Sequence, residues 1–216
     1  MEAFQTFAQE NLWYEIWPEL VLALGALLVL AINLFSKNDN KTGFSGSIAI
    51  IFQFGLLLFH LFDYLAWHHT FDRQTFSGML RQGFQGDVMR TFFLLASLLV
   101  SILGQSYLKT NRLRVGEFHH LTMLASAGLM LLCQSNHFLM LFISLETVAL
   151  CFYSLVAYNR NSAKSLESGI KYLIFGALSS SLLLFGIVLL YGVGCNPGAW
   201  GAEFIGYELR DSLSFD

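Results

Sequence analysis

Glu146 lies near the middle of an apolar run, Phe138 to Ala157 (FLMLFISLETVALCFYSLVA). A carboxyl group at bilayer depth is costly to keep ionised, so a lone one on a spanning helix points to a polar cavity or a proton path. Burial favours the neutral form of such a group and a nearby ammonium favours the ionised form, so its proton can answer to the movement of a neighbouring charge. The bland alternative is a neutral Glu146 that only hydrogen-bonds a serine or a backbone carbonyl across a helix pair. Lys171 stands three residues into another apolar run, Ser168 to Tyr191, and Glu167 precedes it by four residues, the spacing of a helical ion pair. As an isolated residue Lys171 would simply snorkel to the interface.

Other titratable side chains suggest less. Glu117 opens an apolar run beside His119 and His120, but no further acid or histidine recurs at a metal-ligand spacing, so no metal site is expected. His60 with Asp63, and His137, fall near the ends of apolar runs, where interfacial water would solvate them. Cys133, Cys151 and Cys195 are odd in number and widely spaced. They suggest small packing residues rather than a disulfide framework or a zinc site.

These groups need a scaffold, and its class follows from composition. The 216 residues are 55% hydrophobic and 12% charged, with 21 Phe and a mean hydropathy of +0.57. That is too apolar for a soluble domain and implies an integral membrane protein. With 12 basic against 15 acidic residues there is no extended basic surface, so nucleic acid is not an expected partner. The acidic, aromatic N-terminus lacks the positive start of a signal peptide.

Runs of about 20 residues are needed to cross the hydrocarbon. Their polar flanks mark six spans, at 17–35, 44–67, 91–107, 118–133, 138–157 and 168–191. The expected fold is an all-α integral membrane bundle forming one domain, 1–216, with 194–216 as a loop or tail. Lys37 and Lys41, then Lys109, Arg112 and Arg114, then Arg160 and Lys164 fall on one side. The positive-inside rule makes that side cytoplasmic and puts the N-terminus, with Glu2, Glu10 and Glu15, outside. Arg73, Arg81 and Arg90 share an outer loop, and Trp13, Tyr14, Trp17, Tyr64 and Trp67 form an aromatic belt on that face. Phe71 to Met89 is too polar to cross. It suits a short interfacial helix, a strand pair or an ordinary loop. Gly176 and Ser180 form a small-xxx-small pair that permits close helix approach.

From Glu117 to Gly192 the segments EFHHLTMLASAGLMLL and FISLETVALCFYSLVAYNRNSAKSLESGIKYLIFGALSSSLLLFGIVLLYG resemble the antiporter-like membrane subunits of respiratory NADH:quinone oxidoreductase, complex I, and among them subunit N. The resemblance implies the N-terminal half of an antiporter-like subunit in the cell's inner membrane. It matches Glu146 to the fifth-helix glutamate of the proton pathway and Lys171 to the lysine of the SLExxxKY stretch. The implied activity is proton translocation coupled to electron transfer in other subunits, which would hold NADH, FMN, iron–sulfur clusters and quinone. No cofactor is expected in this chain. The implied partners are the lipid bilayer and other membrane subunits. Later helices of the family, with their central lysines, have no positions here and would lie on a longer or a second chain. A subunit of a multi-subunit sodium/proton antiporter is the competing assignment.

Overall fold

In hydrocarbon, backbone N–H and C=O groups have no partner but one another, and long uncharged segments therefore close into helices. The computed structural model describes residues 13–35, 42–66, 73–76, 79–111 and 113–194. The expectations placed on Glu2, Glu10, Lys37, Lys41, Trp67, Phe71, Arg112, Cys195 and residues 195–216 lie outside the described residues. A 3-10 turn, Trp13–Ile16, leads into α1 (Trp17–Phe35), followed by α2 (Thr42–Ala66), β1 (Arg73–Thr75), β2 (Leu80–Gln82), α3 (Phe84–Thr110), α4 (Val115–Gln134), α5 (Phe138–Val156) and α6 (Ala163–Gly194). The architecture is an all-α bundle carrying one small hairpin. Five of the helices are long and apolar enough to cross a membrane, and the chain is a multi-pass membrane protein.

The exception is α4, and its position explains why. It packs against α1, α2, α3 and α5, so its polar residues His119, Thr122, Ser126 and Gln134 are buried by protein. Met123, Ala127 and Met130 of α4 form the apolar core with Leu22, Ala26 and Val29 of α1, Ala49 and Leu56 of α2, and Leu94 of α3. In contrast, α6 packs on α5 and leaves Leu178, Leu182 and Phe185 exposed.

The segment before α3 is a strand pair, β1 antiparallel to β2 with Thr75 opposite Leu80. It docks on the α4–α5 turn, where Asn136 N–H donates to the Met79 carbonyl at 2.9 Å and Leu80 bridges Ser135. The helix then begins at Phe84, not Thr91. Arg90 is therefore not a loop residue but lies within α3, 4% exposed; its charge hid the helix start because its partners are distant in sequence. At this hairpin end Trp17 meets Phe59 edge to face at 4.8 Å, and Tyr64 lies 6.3 Å from Phe84.

Candidate functional site

Glu146 is half-buried on α5, and among the described residues no ion pair reaches it. Ser144, Val148 and Cys151 form the buried stripe of α5, and Gly128 of α4 lies against Val148. Glu146 stands off that stripe, seven residues or two turns from Tyr153 on one helix face. Tyr153 is buried because its hydroxyl end occupies the space a side chain at Gly176 would fill. Its ring meets Tyr172 edge to face at 5.1 Å.

These contacts set the register of α5 against α6. Gly169 lies on Ala157, and the Tyr191 hydroxyl is 2.9 Å from His137 Nε2. Interpolation puts Glu146 level with the Ser180 region of α6, and Lys171 level with the last turn of α5, about 15 Å away along the axis. Lys171 pairs with Glu167 at 2.5 Å, as the four-residue spacing led one to expect. Glu146 and Lys171 are not in contact; the level of Tyr153 against Gly176 falls between theirs. Gly176 of the small pair does face a partner, and what fills the gap is Tyr153.

A second cluster was not visible in the sequence. At the hairpin end Arg90 donates through Nε to Glu19 Oε1 at 2.6 Å and through Nη1 to Asp87 Oδ1 at 3.1 Å. Its Nη2 reaches the Glu15 carbonyl at 2.6 Å and Gln134 Oε1 at 2.7 Å. Gln134 Nε2 donates to Glu19 Oε1 at 2.6 Å, and Gln82 Nε2 donates to Gln134 Oε1 at 2.8 Å. A buried guanidinium is tolerable because carboxylates and carbonyls satisfy its donors. The pairing ties α1, β2, α3 and α4 together. Only the helical spacing of Asp87 and Arg90 hinted at it.

One expectation of solvation fails here, that for His60, while His137 is half-exposed. His60 is 4% exposed, because α2 turns it toward Asp87, Arg90 and Glu19. His137 accepts from Leu139 N–H, capping α5, and contacts Tyr191. Cys133 is exposed whereas Cys151 is buried, so packing accounts for Cys151 alone. At the far end Glu117 binds Arg114 at 2.9 Å and Arg160 at 3.1 Å, and the Tyr158 hydroxyl donates to the Arg114 carbonyl. Burial, reinforced by the Glu117 carboxylate, pushes the Tyr158 phenol up to about 12. Among the described residues no group of three or more His, Cys, Asp and Glu is placed to hold a metal.

Comparison with known proteins bears on the same segment. Residues 135–196 match the family model described as NADH:quinone oxidoreductase/Mrp antiporter, TM. NADH-quinone oxidoreductase subunit N 1 of Opitutus terrae is 45% identical over 203 residues, 93% of this chain and 39% of that one. Subunit N of Xanthomonas euvesicatoria is 37% identical over 81% of this chain and 35% of its own length. In the structure of respiratory complex I from Thermus thermophilus with bound aureothin, one chain shares the fold, with a TM-score of 0.62 at 22% identity, covering 81% of this chain and 36% of that one. The chain thus spans well under half the length of the relatives it matches. It belongs to the subunit N family of NADH-quinone oxidoreductase, the antiporter-like membrane subunits.

Proposed function

We propose that this chain is part of a proton-translocating subunit of an NADH:quinone oxidoreductase, in which Glu146 gains and loses a proton and Lys171 biases it. The observation that carries the reading is Glu146 itself, a carboxyl in the middle of the apolar helix α5 whose face continues through Tyr153 to Tyr172, the neighbour of Lys171. Intramembrane acids mark proton relays, and the curated relatives carry the names of complex I subunits. Lys171 is paired with Glu167 and the two fields largely cancel at the distance of Glu146, so Lys171 biases Glu146 when that pair opens.

NADH, FMN, iron–sulfur clusters and quinone belong in this proposal to other subunits of the complex, and this chain does no redox chemistry. Its partners are other membrane subunits and the lipid. The hairpin end, with the acidic start of α1, faces away from the cytoplasm, and the end carrying Lys109, Arg114, Arg160 and Lys164 faces it across the cell's inner membrane. The test is NADH-driven proton pumping by assembled membrane complexes carrying Glu146→Gln or Lys171→Arg. Pumping falls further in Glu146→Gln, which removes a titratable site, than in Lys171→Arg, which keeps the charge. Equal pumping by Glu146→Gln and the unsubstituted complex would falsify the assignment.

A further inference from the structure

Helices α2, α3 and α4 bury a second set of polar groups that takes no part in the Glu146 site. Gln53, His60, Ser97, Ser101 and His119 are each at most 5% exposed. Gln53 Nε2 and Oε1, His60 Nε2, Ser97 Oγ, Ser101 Oγ and both ring nitrogens of His119 are buried without a hydrogen-bond partner among the described residues. One orphaned polar atom in a membrane protein is unremarkable, but seven on one seam are not.

Their placement is ordered. On α2 the buried stripe runs Ser45, Ala49, Gln53, Leu56, His60, and on α3 it runs Asp87, Arg90, Leu94, Ser97, Ser101. The two helices are antiparallel, registered by Gln105 Nε2 to Ser47 Oγ at 3.3 Å and by the Tyr64–Phe84 ring contact at the other end. That register sets Gln53 between Ser97 and Ser101. His119 of α4 lies at the level of Gly46, where an added Cβ would stand 3.0 Å from its Nε2. His60 reaches the Asp87 backbone and feels Arg90 and Glu19. The polar atoms therefore form a line of about 20 Å, from His119 past Ser101, Gln53 and Ser97 to His60 and the Arg90 cluster. One apolar stretch interrupts it, where Leu56 and Leu94, 6% and 1% exposed, stand between Ser97 and His60.

We propose that this seam is a water-bearing proton path, separate from Glu146, with Leu56 and Leu94 as its constriction. Water is the ligand whose size and paired donor and acceptor capacity suit hydroxyl, amide and imidazole groups one turn apart. Along such a file each water accepts a proton from one neighbour as it gives one to the next, so one proton enters at one end and one leaves at the other with no net change in the seam. Apolar constrictions of this kind close by dewetting. The path stands whether or not Glu146 moves protons.

The test uses the assembled membrane complex in lipid nanodiscs and vesicles. Radiolytic hydroxyl-radical footprinting oxidises side chains beside bound water, even buried ones. His119 and Met123, both fully buried, are oxidised in the unsubstituted protein, are protected in the Gln53→Leu, Ser101→Ala double variant, and are unchanged in Glu146→Gln. In vesicles without NADH, Leu56→Ser raises passive proton leak about tenfold by wetting the constriction, and Gln53→Leu does not. Absence of oxidation at His119 and Met123 in the unsubstituted complex overturns the path. So does a leak unaltered by Leu56→Ser. Unimpaired pumping in Glu146→Gln with an oxidised seam would remove the Glu146 reading and leave this one standing.

Discussion

The Tyr153 and Tyr172 rings meet edge to face at 5.1 Å across the α5–α6 interface. Tyr153 is two turns from Glu146 on the same helix face, and its level against Gly176 falls between those of Glu146 and Lys171 along the α5–α6 interface. A hydroxyl there can pass a hydrogen bond or screen a charge, which a bare ring cannot. Tyr153→Phe keeps the packing and removes the hydroxyl. Pumping by the assembled complex drops about tenfold, equivalent to about 1.4 kcal/mol in the barrier, while subunit content stays normal. Unchanged pumping would reduce the pair to packing.

Gly176 gives the same interface its closeness. A methyl there meets the Tyr153 hydroxyl end, and Tyr153 has little room to withdraw because it is buried. Gly176→Ala destabilises the α5–α6 pair by about 1–3 kcal/mol through overpacking, read as a lower midpoint for thermal loss of the assembled complex. The Gly176→Ala, Tyr153→Phe double variant recovers a small part of that loss, because the nearest clashing atom is gone while the ring atoms Cζ and Cε1 still crowd the methyl. Additive losses would contradict the contact.

Arg90 is the structural counterpart at the hairpin end. Arg90→Met leaves Glu19 and Asp87 buried without their cation, and removing one member of a buried pair costs about 3–5 kcal/mol. The complex then assembles poorly, as measured by the amount of this chain recovered with it. Arg90→Lys recovers little, since an ammonium cannot serve Glu19, Asp87, the Glu15 carbonyl and Gln134 together. Recovery equal to the unsubstituted chain in Arg90→Met would show the cluster to be dispensable.

The α5–α6 connection carries a pH dependence of known sign. The Tyr158 phenol is pushed up to about 12 in the folded chain, against about 10 unfolded. Its contribution is complete below about pH 10 and is lost as the pH rises toward about 12. An absorbance titration of phenolate, taken as the difference between the native chain and Tyr158→Phe, places this tyrosine's transition near the upper end of that window. A transition at the ordinary phenol position would contradict its burial against Glu117.

Much of this architecture could be read from residue order, and the failures have a common cause. Uncharged runs with polar flanks reveal helices because hydrocarbon leaves the backbone no other choice, and the Glu167–Lys171 pair follows from local spacing alone. Arg90 and Glu19, 71 positions apart, carry no local signal. Arg90 looks like a solvated loop charge until α1 and α3 are brought together, and for that reason the sequence places the start of α3 at Thr91 and not at Phe84. His60 looked interfacial from its place along α2, and only the neighbouring helices make it buried. Glu146 was legible as an anomaly of type and position. That Lys171 stands level with the last turn of α5, well away from Glu146, could come only from the α5–α6 register.

The central claim is that the Glu146 carboxyl changes protonation during turnover. Infrared difference spectroscopy of energised membranes, comparing the assembled complex with and without Glu146→Gln, observes that carboxyl directly through its protonated C=O stretch. The account predicts a band that changes on adding NADH and quinone and disappears in Glu146→Gln. A carboxyl spectrum identical in the two complexes, before and after energisation, would contradict it.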